Sequence, residues 1–286
     1  MDERDWLADR FQENRAHLRS VAYRMLGSLS EADDAVQDAW IRVSRADTSD
    51  VENLGGWLTT VVAHVCLNML RSRASRGEEL AGTYMPDPIV VLRDNVDPER
   101  EALLVESVGL ALLVVLQTLA PAERVAFVLH DMFNVPFKDI ARIVGRSSQA
   151  ARQLASRARR RVQGAVSVTD ADLPGQQEVV DAFFAAARGG DFDALVALLD
   201  PDVVLHSDNR VVRGAARVAD GALTFADPNR LLRPALINGA AGVLVTLDGR
   251  TVAIMGFTVV NRQIVTIYSI GDPDHLIRLG MTEIGD

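Results

Sequence analysis

Between Arg146 and Arg161 the chain carries six arginines and no carboxylate, and this cationic run begins directly after a glycine. Guanidinium groups crowded onto one short segment suit a polyanion, and the interleaved Gln149 and Gln153 add side chains able to pair with base edges. Ser147 stands where a helix N-cap is needed, which sets Arg146, Ser148, Gln149, Arg152 and Gln153 around the first turns of the following helix. These are the candidates for contacting DNA bases and nearby phosphates. Arg157, Arg159, Arg160 and Arg161, further along, suit phosphate contacts that set affinity rather than sequence. The bland alternative is a solvated cationic helix.

Two other clusters carry chemistry. Asp34 and Asp38 stand one helical turn apart, with Asp33, Gln37 and Trp40 beside them; like charges at that spacing repel unless a basic partner neutralises them. A solvated face is the plain reading of that cluster taken alone. The stretch Tyr84-Met85-Pro86-Asp87-Pro88 is too apolar for a bare tether and too proline-rich for a helix, so it reads either as locally packed chain or as a docking peptide. Near the carboxy terminus His206, Asp208 and Tyr268 are the polar groups placed for catalysis. They form no nucleophile–base pair, and a lone histidine is more often structural.

The elements that must position these groups follow from spacing. Counting from Phe137, Ala141 is fifth, Gly145 ninth, Ala151 fifteenth and Leu154 eighteenth. This is the pattern of a helix-turn-helix, with a small residue at the crossing, a turn residue free to take positive φ, and two core-facing apolar groups. Residues 1–76 read as a helical module. Its first helix carries Phe11, Leu18, Val21, Ala22, Met25 and Leu26, and Gly27 breaks it. Ser30-Glu-Ala-Asp33 is expected to cap a second helix running to about Ser44, and a third begins near Trp57. Residues 77–97 form a linker and residues 98–168 a second helical module ending in the helix-turn-helix. After Thr169–Gly175, residues 176–286 open with an amphipathic helix (Val179, Val180, Phe183, Phe184, Ala187) and continue as strands at Val203–His206, Ala235–Ile237, Gly242–Leu247, Thr251–Val260 and Gln263–Ile270. Hairpin turns fall at Gly249 and at Asn261-Arg262. The fold class expected is therefore multidomain: two all-α modules followed by an α+β domain with a curved sheet.

Composition sets bounds. With 286 residues, 48% apolar and 24% charged, the chain can bury a core in each of two or more domains. The net charge of −9 argues against nucleic acid only on average, because acids crowd the first fifty residues and Glu78–Glu106 while arginines gather at Arg71–Arg76 and Arg146–Arg161. The single cysteine, Cys66, excludes an internal disulfide and a multi-cysteine zinc site, and neither metal nor cofactor is expected. The amino terminus is highly charged, unlike a secretory signal, so a cytoplasmic location without membrane contact is expected.

Three blocks, SVAYRMLGSLSEADDAVQDAWIRV, LGGWLTTVVAHVCLNMLRSR and LAPAERVAFVLHDMFNVPFKDIARIVGRSSQAARQLASRARRRV, resemble an extracytoplasmic-function sigma factor, the first two matching region two and the third region four. The remainder resembles a SnoaL-like cone of the nuclear-transport-factor-two type, a combination similar to the sigma-J-like group. The resemblance implies a promoter-specificity subunit whose partners are core RNA polymerase and promoter DNA, with the cone a candidate home for an unknown small ligand. It places Asp33, Asp34, Gln37, Asp38 and Trp40 at the polymerase clamp, and Asn53, Asn68 and Arg71 at the minus-ten element. The helix-turn-helix falls at the minus-thirty-five element, and Tyr84–Pro88 at a linker motif through which the last domain regulates the first two. The family's glycine-rich stretch after the first strand of the cone is shortened here to Ser207-Asp208-Asn209-Arg210, whereas Gly271-Asp-Pro-Asp-His-Leu276 fits its closing motif. A one-component regulator that senses a ligand through the cone and binds an operator alone is the competing function. A SnoaL-type isomerase or cyclase is a third, weakened by the missing catalytic set.

Overall fold

A computed structural model describes residues 3–48, 51–76, 85–92, 108–165, 169–170, 172–208 and 210–281. The chain divides into two compact units, Met1–Gly82 with Leu112–Val166, and Thr83–Ala111 with Ser167–Asp286.

The first unit is helical. Helix α1 (Glu3–Leu26) ends where Gly27 takes φ 75°, and α2 (Leu29–Val43) starts at once. The cap of α2 is Ser28 rather than the expected Ser30: Ser28 is extended, and its hydroxyl accepts from the Glu31 N–H. The abrupt left-handed stop at Gly27 brings the helix start forward by a residue pair. Helix α3 (Leu54–Arg76) completes a bundle whose core includes Leu18, Met25, Val36, Leu58, Val62, Cys66 and Leu70, all but closed to solvent. Burial pushes the Cys66 thiol pKa up, leaving it an inert packing group.

Helix α4 (Leu110–Gln117) leads to α5 (Pro121–Phe127), which continues into a π-helical turn at Val128–Met132. Helices α6 (Phe137–Val144) and α7 (Ser148–Ala165) follow, joined at Gly145 with φ 68° and ψ 41°. Arg124 of α5 is 1% exposed. Its guanidinium donates to the Met25 carbonyl at the end of α1 (3.1 Å), to the Gln117 side chain (2.8 Å) and to the Gln117 carbonyl (2.8 Å). One buried cation thus satisfies carbonyls that helix ends leave open, and ties α5 to α1.

The second unit is built on a seven-stranded sheet. Its strands are β1 (Val90–Leu92), β2 (Leu199–Ser207), β3 (Arg210–Arg213), β4 (Leu231–Ile237), β5 (Ala240–Leu247), β6 (Arg250–Val260) and β7 (Gln263–Ile270). Their spatial order is β1-β4-β5-β6-β7-β2-β3, antiparallel except for the β2–β7 pair. Helices α8 (Leu173–Gly189), α9 (Phe192–Leu198) and α10 (Ala215–Phe225) close one face, and the short α11 (Pro273–Arg278) ends the domain. Register shifts interrupt the β5–β6, β6–β7 and β2–β7 ladders, the bulges that curve a sheet into a cone. The core joins Val179, Val180 and Phe183 of α8 to Val243, Val245, Phe257 and Ile267 of the sheet. The two anticipated hairpin turns take paired positive φ, at Asp248-Gly249 and at Asn261-Arg262, as does Asn238-Gly239 between β4 and β5. The architecture is the expected one, two helical modules followed by an α+β cone.

Replacing Arg124 with Met removes the charge but keeps the stem, leaving carbonyls at Met25 and Gln117 without a donor. The variant should lose about 3 kcal/mol of stability in urea unfolding; a loss below about 1 kcal/mol would show that the buried guanidinium does not hold α5 to α1.

Candidate nucleic-acid interface and linker clasp

In the helix-turn-helix, Ser147 caps α7 as anticipated, its hydroxyl accepting from the Ala150 N–H at 3.2 Å. Gln149, Arg152 and Gln153 are exposed at i, i+3 and i+4 on one face of α7, with Arg146 exposed just before it. The Arg152 guanidinium lies 5.6 Å from the Phe137 ring, which holds the stem near the start of the helix. Ser148 is half-buried. The rear of the cationic run is engaged differently from the expectation. Arg157 and Arg161 both pair with the buried Glu123 (2.7 and 3.0 Å), and Arg159 pairs with Asp131. Those carboxylates sit on α5 and its π-helical extension, too far away in sequence for a local reading of α7 to find. Arg157, Arg159 and Arg161 therefore fasten α7 to α5 and the π-helical turn, and the exposed polar strip is concentrated at the front of α7.

On α2, Asp34, Gln37 and Asp38 are exposed, and neither aspartate has an ion-pair partner among the described residues. Asp33 is instead paired with Arg19 of α1 at 2.7 Å, and Trp40 is half-buried against Phe11 with ring centroids 5.0 Å apart. Two members of the cluster thus fix α2 on α1 while three face outward. Asn53 caps α3, its side-chain oxygen accepting from the Gly56 N–H at 3.0 Å, so its amide nitrogen is what remains to bind elsewhere. Asn68 is exposed. Arg71 donates to the Val144 carbonyl at 3.4 Å, a long bond that leaves an exposed side chain.

The linker motif enters the second unit. Tyr84 lies outside the described residues; Met85, Pro86, Asp87, Pro88, Ile89 and Val90 are all buried. Strand β1 pairs with β4 (Val90 with Ile237, Leu92 with Ala235), and Asn238, held at φ 49°, completes the edge. Asn238 accepts from the Ile89 N–H through its side chain (3.0 Å) and donates its own N–H to the Ile89 carbonyl (2.9 Å). The Asp87 carboxylate meets His275 Nε2 at 2.8 Å, with side chains 9% and 6% exposed. His275 Nδ1 faces Asp208 at 3.6 Å, and the other Asp208 oxygen accepts from the N–H groups of Gly271 (2.6 Å) and Asp272 (2.7 Å). Asp272 in turn caps α11 by accepting from the His275 N–H. The imidazole therefore sits between two carboxylates, one from the linker and one from the β2–β3 turn. Burial alone would lower its pKa, but Asp208 and Asp87 outweigh that, and Arg278 opposes them only weakly, so it is pushed up to about 9. Burial would raise the Asp208 pKa; His275 and the two backbone N–H groups hold it below its ordinary value instead.

The sequence supplied both halves of this clasp without pairing them. The shortened β2–β3 turn is a tight hairpin, Ser207 paired with Arg210, and its aspartate still grips the closing motif. Of the other polar candidates, His206 and Tyr268 stack on one another (5.5 Å) on the sheet face away from the cone, whose lining takes the alternate residues Leu205, Ser207, Ile267 and Ser269. Burial and then Arg213 lower the His206 pKa, and burial raises that of Tyr268. Among the described residues no cluster of ligating side chains could hold a metal, and no helix is long and apolar enough to cross a membrane.

Residues 10–76 match Sigma-70 region 2, and residues 109–162 match Sigma-70, region 4. The ECF RNA polymerase sigma factor SigJ of Mycobacterium tuberculosis is 40% identical over 288 residues, covering 92% of this chain and 91% of its own length. A probable ECF RNA polymerase sigma factor of the same species, SigI, is 34% identical over 283 residues, covering 96% and 97%. The crystal structure of M. tuberculosis SigJ superposes with a TM-score of 0.75 at 35% identity, over 96% of this chain and 100% of that one.

Protonated His275 stabilises the fold more than it does the unfolded chain, where its pKa is about 6.5. That contribution is complete below pH 6.5 and is lost as pH rises through about 9. Thermal unfolding of the full chain from pH 6 to 10 should show this decline, and His275→Gln should flatten it; a variant profile parallel to the parent would contradict the clasp. Asp87→Ala, which strands the imidazolium beside Asp208 alone, should cost about 3 kcal/mol near neutral pH.

Proposed function

The chain belongs to the extracytoplasmic-function sigma factors of RNA polymerase, and from that premise we propose that α2 docks on the core enzyme while α3 and α7 meet promoter DNA. As a sigma factor it directs transcription initiation by binding core polymerase and promoter DNA. The observation that carries the division of labour is the segregation of exposed charge in the helical unit. Asp34 and Asp38 stand exposed on α2 with no ion pair among the described residues, whereas Arg146, Gln149, Arg152 and Gln153 stand exposed at the front of α7.

An acidic strip without an ion-pair partner among the described residues is suited to a basic polymerase surface, with Gln37 adding a neutral donor and acceptor. Asp33 and Trp40 position that strip through Arg19 and Phe11 rather than presenting themselves. The front of α7 reads bases through Arg152, Gln149 and Gln153, with Arg146, Ser148 and the exposed part of Arg157 on phosphates, and Ser147 setting the helix start. Asn68, Arg71 and the free amide of Asn53 serve the separated strand of the minus-ten element, where a cationic groove and polar donors hold unpaired bases.

The linker segment Met85–Pro88 is the regulatory handle. Because β1 lies in sequence between the two sigma modules yet pairs with β4, the cone domain controls how much of that connection is free. The chain acts in the cytoplasm, where core polymerase and DNA are found, and its cone does no catalysis. His206 and Tyr268 turn away from the interior, and the Asp208 carboxylate is occupied by two backbone donors. The pairing of Arg157 and Arg161 on α7 with Glu123 of α5 favours this reading over a one-component regulator, since it limits the cations left for unaided duplex binding.

Co-purification with core polymerase tests the assignment. Asp34→Arg combined with Asp38→Arg should abolish core binding with unchanged circular dichroism, and retained binding would sink the docking role of α2. Arg152→Ala should leave core binding intact and weaken minus-thirty-five recognition by holoenzyme about tenfold or more. Equal loss of both activities would show that Arg152 has another role.

A further inference from the structure

The cone holds a half-open cavity of about 630 Å³, inside the range of roughly 300–1,000 Å³ typical of small-molecule sites. Its wall is apolar: Phe183 and Phe184 from α8, Leu205 from β2, Val245 from β5, Met255 from β6 and Ile267 from β7. Among the described residues no histidine, lysine, glutamate, tyrosine or cysteine lines it. The charged groups at its edge are four arginines, Arg188, Arg210, Arg217 and Arg230, against three aspartates, Asp208, Asp220 and Asp227.

The two sets are not equivalent. Two of the aspartates are engaged, Asp208 by the Gly271 and Asp272 N–H groups and Asp227 by the backbone N–H and side-chain amide of Asn229 (2.9 and 3.1 Å), which leaves Asp220, exposed on α10, against four arginines. None of the four arginines is ion-paired to a carboxylate among the described residues. Arg188 donates to the Arg230 carbonyl and Arg230 to the Phe225 carbonyl, while Arg210 lies over the Phe225 ring. Arg230 Nε is buried without a hydrogen-bond partner among the described residues. Buried donors are rarely left so, and a guanidinium fork beside an apolar wall matches a carboxylate attached to a hydrocarbon body.

We infer that the cone binds an amphipathic organic anion, with its apolar body against Phe184, Met255 and Ile267 and its carboxylate among Arg188, Arg217 and Arg230. Apolar burial supplies affinity, and the arginines choose an acid over an alcohol or an amine. With no acid–base pair inside, the ligand is held rather than turned over. The ligand is thus a candidate effector for the domain that also grips the linker, and its binding stands or falls independently of the polymerase role.

The test is calorimetric titration of the full chain with dodecanoate, dodecan-1-ol and dodecylammonium, each kept below its micelle concentration. Saturable one-to-one binding of dodecanoate is expected, at least tenfold tighter than the alcohol and tighter still than the amine. Arg217→Glu, on the exposed side of α10, should weaken dodecanoate at least tenfold and leave the alcohol unchanged. Met255→Trp should fill the cavity and abolish binding of both. Equal affinity for acid and alcohol, tightest binding of the amine, no saturable binding of dodecanoate, or undiminished binding by Arg217→Glu would each overturn the proposal. Should Met255→Trp fail to fold, Arg217→Glu decides alone. Core-polymerase co-purification of the same variants reads out the sigma activity separately.

Discussion

A carboxylate buried in an apolar linker must find a cation, and among the described residues Asp87 meets His275. Asp87 sits between two prolines, neither of which offers an N–H, in a stretch whose other members are apolar. The partner, His275, is 188 residues further on. Much of the second unit's edge is arranged to deliver it. Asp272 caps α11 so that the imidazole faces inward, Asp208 holds both the cap and the second ring nitrogen, and Asn238, in the β4–β5 turn, closes the backbone pairing beside β1. A buried charge left without its partner costs several kcal/mol, so the linker strand and the end of the chain stand or fall together. That coupling turns a stretch between two sigma modules into part of a third domain.

The helical unit solves the same problem with Arg124, whose guanidinium is spent on carbonyls at the ends of α1 and α4. Here too a single buried cation joins elements that are remote in sequence. The surface charges then divide cleanly. Acids that pair internally, such as Asp33 and Glu123, hold α2 and α7 in place, and unpaired groups, such as Asp38 and Arg152, remain outward. A net charge of −9 is therefore compatible with DNA binding, because affinity depends on the local field of one helix and not on the chain average.

Local patterns were legible, and long-range partners were not. The helix-turn-helix, the Ser147 cap and the positive φ at Gly145 follow from spacing within a short window, and Gln263–Ile270 coincides with β7 residue for residue. Strand β1 could not be read, because three residues become a strand only when Ala235–Ile237 arrives beside them. Helix α10 was not anticipated although Ala215, Val218 and Ala219 are buried at helical spacing, because Gly221 in its interior reads as a break. The same limit applies to the site. Exposure of Asp34, Asp38, Arg152 and Gln153 was foreseeable from amphipathic spacing, whereas the pairing of Arg157 and Arg161 with Glu123, the capping duty of Asn53 and the capture of Asp87 by His275 all depend on the folded arrangement.

The central claim is that this chain gives core RNA polymerase its promoter specificity, and run-off transcription tests it most directly. Purified core enzyme would be supplied with the full chain and with a template carrying the chain's own upstream region and candidate promoters with distinct minus-thirty-five and minus-ten elements. The account predicts a discrete transcript that requires the chain and disappears when either element is scrambled. Tight binding of the chain alone to a palindromic duplex, with no chain-dependent transcript from any template, would contradict it.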